Sequence, residues 1–413
     1  VKILWHSNAP WAPTGYGVQT ALFAPRLRDI GHDVAISAYY GLQGSTLEWN
    51  GFHCYPSDPT GYGRDLLPHY AAHHADGQDP RDVLVLTLMD VWVLNEAYPA
   101  LRELNMASWV PVDHGPLPTR VHEFFELTGA RPIAMSRFGE RALRDAGHDP
   151  LYVPHGVDTK VYRPQPEHRA IVRRGMGVPE DAFVIGMVAN NAGQAPPRKA
   201  FPQVFQAFAA FRREHPEAIL HLHTEIAGRQ NGINLSALAD ICGVPAEAIS
   251  ITNQFSLHLG IPDDQMALIY SGFDVLASPS YGEGFGVPIV EAQACGVPVI
   301  VTDWTAMPEL CGAGWKVRGD KFYDPPQGAF YVCPAVIEIL DAFDAAHAAR
   351  NDYDLKAKAR EFALQYDADR VVEEHWKPAL AALEGPREVP PLPTNGNRAQ
   401  RRAKQKAKAK AAR

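Results

Sequence analysis

Short apolar runs of strand length, separated by stretches of helical periodicity, constrain this chain most. Asp82–Leu88 (DVLVLTL) is the clearest, because its consecutive apolar positions require burial on both faces. Lys2–His6, Val34–Ala38, Ala107–Val112, Arg131–Met135 and Leu151–Val153 repeat the pattern in the first part of the chain. Ala182–Ala189, Ala218–His223, Ile249–Thr252, Asp274–Pro279 and Pro298–Thr302 repeat it in the second. Between these runs, Val18–Ile30, Arg64–His74, Asn95–Glu103, Pro202–Phe211 and Pro262–Tyr270 read as helices. Such alternation predicts an α/β protein with parallel sheets covered by helices on both faces. Ligands of such sheets bind just past the carboxyl ends of the strands. By that rule Asp90, Asp113, His114, Ser136 and His155 are candidate site positions.

The chain has 413 residues, enough for two domains of ordinary size. The alternations fall into two sets, so we expect one domain over 1–166 and a second over 167–368. Pro334–Ala348 and Asp354–Tyr366 are late helices. A last helical segment, Asp369–Leu383, occupies 369–384, and 385–413 is a proline-rich linker followed by a basic tail.

Tyr281–Gly296 (YGEGFGVPIVEAQACG) carries the chemistry. The strand Asp274–Pro279 precedes it, and Pro288 suits the first turn of a helix that continues over Ile289–Ala294. Gly282, Gly284 and Gly286 allow backbone to approach a ligand closely. A strand, a glycine loop and a helix start together aim backbone N–H groups and a positive dipole end at one point, which suits phosphate. Glu283 and Glu291 bracket that point, and carboxylates accept hydrogen bonds from sugar hydroxyls. The bland alternative is that a first-turn glutamate merely complements the helix dipole.

The E-G-F-G-x-P-x-x-E-A pattern, with its acids eight residues apart, resembles the paired-glutamate signature of retaining glycosyltransferases of family four. The resemblance covers roughly Lys2–Leu383. It implies the GT-B fold, two Rossmann-like domains facing each other across a cleft, with the last helix crossing back to the N-terminal domain. It also implies a UDP- or GDP-hexose donor, used as substrate with no cofactor, and retaining transfer to an acceptor hydroxyl without a metal. Arg198 and Lys199 (APPRKAF) resemble the pair that holds the donor diphosphate, although a longer loop precedes them here. Glu291 is expected on the ribose, and Glu283, Gly284, Phe285 and Gly286 on the sugar or phosphate. Gly186 is expected to let the donor come close to backbone, and Glu309 to face the sugar ring. His114 is expected near the anomeric carbon, with Glu283 and Lys199 as its catalytic companions. Gly15 and Gly17, in NAPWAPTGYG, are expected to face the cleft. They do not complete a dinucleotide fingerprint, which needs a third glycine in the next turn. For each residue the alternative is a packed or solvated structural role, and His221 and His223, inside a strand, read that way.

Charge is unevenly spread. Residues 398–413 carry eight basic side chains and no acid, and removing those eight from the chain's −8 leaves −16 on residues 1–397. Such a tail suits a polyanion such as nucleic acid through counterion release, or it merely solubilises. Its NRAQRRA resembles proteins of actinobacterial phages, which implies a virion protein or hydroxylated DNA bases as acceptor. A sugar-nucleotide epimerase or a non-catalytic binding module are the other readings of the same fold. Five scattered cysteines without C-x-x-C suggest reduced thiols and a cytoplasmic setting. No apolar run approaches the ~18 residues of a membrane span.

Overall fold

The computed structural model describes residues 1–59, 61–193 and 196–385. The linker and tail from residue 386 onward, with every expectation placed on 398–413, lie outside the described residues.

Two parallel sheets form two lobes. The N-lobe strands are β1 (Lys2–Asn8), β2 (Asp33–Tyr40), β3 (Leu47–Trp49), β4 (Phe52–Tyr55), β5 (Val83–Leu88), β6 (Asn105–Val110), β7 (Arg131–Ala134) and β8 (Leu151–Tyr152). They lie in the order β3-β4-β2-β1-β5-β6-β7-β8. β5 is buried along its whole length between β1 and β6, as its unbroken apolar run requires. The C-lobe strands are β9 (Phe183–Val188), β10 (Ala218–His223), β11 (Ile249–Ile251), β12 (Val275–Ser278), β13 (Val299–Thr302) and β14 (Gly314–Val317), in the order β11-β10-β9-β12-β13-β14. In each sheet the order reverses beside the first strand, at β1 and at β9. A crevice therefore opens past the carboxyl ends of those strands in both lobes.

Two antiparallel pairs were not expected from the sequence. β3 and β4 join through Asn50 and Gly51, both at positive φ (49° and 79°). An Asn-Gly pair is the strongest local hairpin signal, and it was legible. The other pair, β15 (Gly319–Asp324) and β16 (Ala329–Pro334), leaves the C-lobe and reaches the N-lobe, where Gly115 and Phe330 exchange backbone hydrogen bonds of 3.1 and 2.9 Å. The helix expected over Asn95–Glu103 is instead a 3-10 stretch, Val91–Ala97, and one turn, Tyr98–Leu101. Pro99 has no N–H to donate and constrains the residue before it, which prevents a regular helix there.

The second lobe starts packing at Arg169 and Arg173, which grip Asp274 at 2.5 and 2.7 Å. The closing segment is not one helix. It runs as Ala368–Val371, a wider π turn Val372–Trp376, and Lys377–Ala381. Pro378 cannot donate to the carbonyl four residues back, so the hydrogen-bond register shifts there. This segment lies on the N-lobe. Trp376 is fully buried, with ring centroids 5.8 Å from Trp5, 4.9 Å from Trp109 and 5.9 Å from Phe23. Truncating it opens a large cavity, so Trp376→Ala is expected to destabilise the protein by about 3–5 kcal/mol. Its indole N–H has no hydrogen-bond partner among the described residues, so Trp376→Phe should lose less than half of that. Urea midpoints of the two variants check this, and equal losses would mean that aromatic packing is not the source.

Candidate active site

The site forms where the glycine loop after β12 meets the loop after β6. Glu283 leaves the C-lobe in that glycine loop, and its backbone N–H donates to Thr305 Oγ1 at 3.0 Å. Its carboxylate receives Lys199 Nζ at 2.5 Å and Arg198 Nη1 at 3.0 Å. Arg198 also donates to the Gly282 carbonyl at 2.6 Å, and its own carbonyl accepts from the Tyr281 N–H at 2.8 Å. The loop after β9 and the glycine loop are thereby clamped together. Ala200, turned to φ 57°, then starts the helix Phe201–Glu214.

Burial works against a charged Glu283, but Lys199 and Arg198 outweigh it and hold the carboxyl at about 2. Burial and the neighbouring Arg198 pull Lys199 down, against the attraction of Glu283. The direct contacts of Glu283 with both cations favour the charged form of all three groups at neutral pH. The cluster then has one surplus positive charge. Lys199 has three donors and Arg198 five, so both keep donors free for an anion.

The N-lobe supplies the facing wall. His114 is buried, with Nδ1 2.6 Å from Asp113 Oδ1 and Nε2 3.1 Å from Asp324 Oδ2. Carboxylates only accept, so these contacts ask both ring nitrogens to donate. Tyr331 of β16 covers the ring at 3.6 Å between centroids. Burial alone would raise Asp113; the hydrogen bond and charge of His114 reverse that and hold it low. Asp90, two residues past β5, is exposed as a residue. Desolvation of its carboxyl first, and Asp113 second, push it up to about 6. The Tyr16 hydroxyl is pushed well above its ordinary value by burial, then by Asp90 and Tyr39. Tyr16, Asp324, Tyr331 and Thr305 were not anticipated. The last three arrive through tertiary contacts that no local pattern announces.

Glu291 sits one turn into the helix Val287–Ala294, buried, and accepts from the Tyr270 hydroxyl at 2.7 Å. Burial pushes its carboxyl up to about 7; the Tyr270 hydrogen bond opposes this and Asp263 adds to it. Glu283 and Glu291 therefore differ sharply. One is neutralised by cations, and the other is an acceptor with hydroxyl partners.

Several glycines do something other than expected. A Cβ on Gly186 would lie 2.2 Å from the Phe273 ring, so its missing side chain makes room for packing inside the lobe and not for a donor. Gly17 lies against the Ala12 and Ala9 carbonyls at 2.3 and 2.9 Å from such a Cβ, and its N–H donates to Thr14 Oγ1. Its role is to close its own loop. Gly15, by contrast, has open space around it. Gly282 and Gly284 bring the glycine loop against the Asp113 carbonyl and Pro111, which a side chain at either position would prevent. Gly286, at φ 116°, turns the chain into the helix. Phe285 is buried and stacks on His155, whose unpartnered ring nitrogens leave it neutral, with burial holding its value at about 3. Phe285 is thus a packing residue, and only its backbone can serve a ligand. Glu309 is engaged by the N-lobe: its two oxygens accept from the backbone N–H groups of Arg137 and Phe138 at 2.7 and 3.0 Å. It ties the lobes together by capping an N-lobe helix. Beside it a cavity of about 480 Å³ is lined by Arg137, Phe138, Arg141, Trp304, Thr305 and Glu309, among others.

Residues 172–317 match the family described as glycosyl transferases group 1. Over 153 residues the chain is 34% identical to D-inositol 3-phosphate glycosyltransferase of Stackebrandtia nassauensis, covering 36% of this chain and 32% of that protein. Over 229 residues it is 33% identical to the Thermobispora bispora enzyme of the same name, covering 53% and 52%. The chain thus spans about a third to a half of the length of the curated relatives it matches. Among solved structures, sucrose-phosphate synthase from Thermosynechococcus elongatus superposes with a TM-score of 0.69 at 18% identity, covering 92% of this chain and all of that one. Anabaena HepE in complex with UDP superposes at 0.66 and 17%, covering 92% and 100%. The fold is the two-lobed GT-B fold of glycosyltransferases. No described helix is long and apolar enough to cross a membrane.

Proposed function

We propose that the protein is a retaining glycosyltransferase that moves a hexose from a UDP-hexose to an acceptor hydroxyl. One observation carries this reading most: a buried glutamate, clamped by a lysine and an arginine, lies in a glycine loop pressed against the N-lobe backbone at Pro111 and Asp113, next in the chain to His114. The match of the C-lobe to group 1 transferases supports the reaction class, and the fold shared with a UDP-binding protein supports the donor.

In the proposed reaction the bond from the anomeric carbon to the diphosphate oxygen breaks, and negative charge gathers on the leaving group. Arg198, Lys199 and the start of the helix Val287–Ala294 stabilise that charge. The new bond forms from the acceptor oxygen to the same face of the anomeric carbon, and the acceptor proton passes to the departing phosphate oxygen. Glu283 accepts from the sugar hydroxyls, and the wall around His114, its ring held by Asp113 and Asp324, keeps the sugar in place. The acceptor approaches through the cavity beside Trp304. Incubation with UDP-glucose and a hydroxylated acceptor, followed by NMR of the product anomer, tests the reading. A product of inverted configuration, or no cleavage of any UDP-hexose, would remove it.

Glu291 provides a pH test. Its folded value, about 7, lies above the unfolded value of about 4.3, so the folded state binds the extra proton. Its contribution to stability is full below about 4.3 and is lost as pH rises through 7. Ionised, it accepts from both ribose hydroxyls. Donor affinity should therefore rise with pH, with Kd for UDP-glucose about tenfold lower at pH 8 than at pH 6. Glu291→Gln should flatten that dependence. A wild-type Kd that does not change between the two pH values would take Glu291 off the ribose.

A further inference from the structure

We infer that His215, Glu217 and His347 form a divalent transition-metal site on the outer side of the C-lobe, separate from the cleft. His215 directly follows the helix Phe201–Glu214, and His347 lies in the last turn of the helix Val336–Ala348. Glu217 is two residues beyond His215 in sequence and faces His347 across 130 positions of chain.

One ligand atom from each residue lies within 4.8 Å of the other two. Glu217 Oε1 is 2.9 Å from His347 Nε2 and 4.0 Å from His215 Nδ1. A tetrahedral centre with metal–nitrogen bonds of about 2.0–2.1 Å separates its ligand atoms by about 3.3 Å, a value between those two distances. Shifts of well under an ångström in the side chains therefore suffice to close around an ion.

The surroundings fit a metal as well as the ligands do. His215 directs its other nitrogen, Nε2, at Asp344 Oδ1, 3.4 Å away. A metal-bound histidine commonly donates its second N–H to a carboxylate, which fixes the ring and makes the ligating nitrogen more basic. The two imidazoles lie 4.1 Å apart between centroids, tilted 39° to each other, and both rest on Phe211. Their nitrogens are thus already oriented. All three side chains are partly open to solvent, which gives the ion an entry path and leaves the fourth position to water. Two imidazoles and one carboxylate select zinc and its neighbours over magnesium or calcium. The ion would join the carboxyl ends of two helices that pack side by side through Phe211 and Phe343. The first of these helices begins just after Arg198 and Lys199, so the clamp would hold the far end of the element whose near end carries those cations.

The full chain, stripped with a chelator and dialysed, should take up Zn²⁺ in calorimetric titration and should ignore Mg²⁺. His122, Glu126 and His148 form a second group of the same composition. The informative readout is therefore the loss of one equivalent, not total uptake. Glu217→Gln and His347→Ala should each remove one equivalent of Zn²⁺ and abolish the part of the Tm increase that this ion causes. Asp344→Ala should keep the stoichiometry and weaken the site about 10–100-fold. The inference is overturned if the chain takes up no Zn²⁺, or if stoichiometry is unchanged in both Glu217→Gln and His347→Ala.

Discussion

Glu283→Gln should reduce the turnover of UDP-glucose hydrolysis by about 10²–10³-fold, with circular dichroism and the cleft geometry retained. The substitution keeps the shape but removes the charge that Lys199 and Arg198 hold. It leaves two cations in one partly buried place, facing each other. Breaking a fully buried pair by removing one partner costs about 3–5 kcal/mol. Arg198 is about a third exposed (32%), so water screens the loss, and a destabilisation of roughly 1–3 kcal/mol is the expected size. The wild-type contribution has a defined pH window. With a folded value of about 2, it is present above the unfolded value of about 4.3 and fades as pH falls toward 2. The variant should lack that acid sensitivity. Lys199→Ala gives the control: a double-mutant cycle should show strong coupling between the two positions, because each substitution removes the same contact. Turnover within threefold of wild type in Glu283→Gln would show that this carboxylate has no part in the reaction.

The C-lobe half of the site was legible because its parts lie close together in sequence. The strand β12, the glycine loop and the helix Val287–Ala294 form one continuous stretch, so Glu283 and Glu291 could be placed by counting. Arg198 and Lys199 needed one further step, the family resemblance, because an extended loop separates them from β9. The N-lobe wall was harder. His114 was reachable as a residue past a strand end, but its partners were not. Asp324 and Tyr331 come from β15 and β16, more than two hundred positions away, and only the folded chain brings them over His114. Glycines misled for a related reason. Gly186 and Gly17 are small because Phe273 and the Ala12 carbonyl occupy the space, and sequence alone does not say whether a neighbour or a ligand fills the gap. The Asn50-Gly51 turn shows the opposite case, a purely local signal that was passed over.

The hairpin β15–β16 changes what His114 can do, and this yields the second large effect. A histidine held between Asp113 and Asp324 cannot rotate, and the ring of Tyr331 closes one of its faces. Gly115, next in the chain, is bound to Phe330 of the same hairpin. The hairpin therefore positions the N-lobe wall from the opposite lobe, so the packing of the two lobes and the orientation of His114 depend on the same contacts. In the proposed reaction His114 forms the fixed wall on the sugar side of the cleft, and Asp324 acts through it as a positioning residue. His114→Ala should lower turnover of UDP-glucose by about 10²–10³-fold. Asp324→Asn should have a smaller effect, about 10–100-fold on a scale set by other partners that orient a functional histidine. The asparagine still accepts a hydrogen bond from the ring but holds it less firmly than a carboxylate does, so the loss in Asp324→Asn should fall on kcat with KM for UDP-glucose unchanged. If Asp324→Asn instead raises KM alone, the hairpin serves donor binding and not the orientation of the histidine. If His114→Ala keeps full turnover, the wall built around it is scaffolding, and the reacting centre must lie with the C-lobe cations alone.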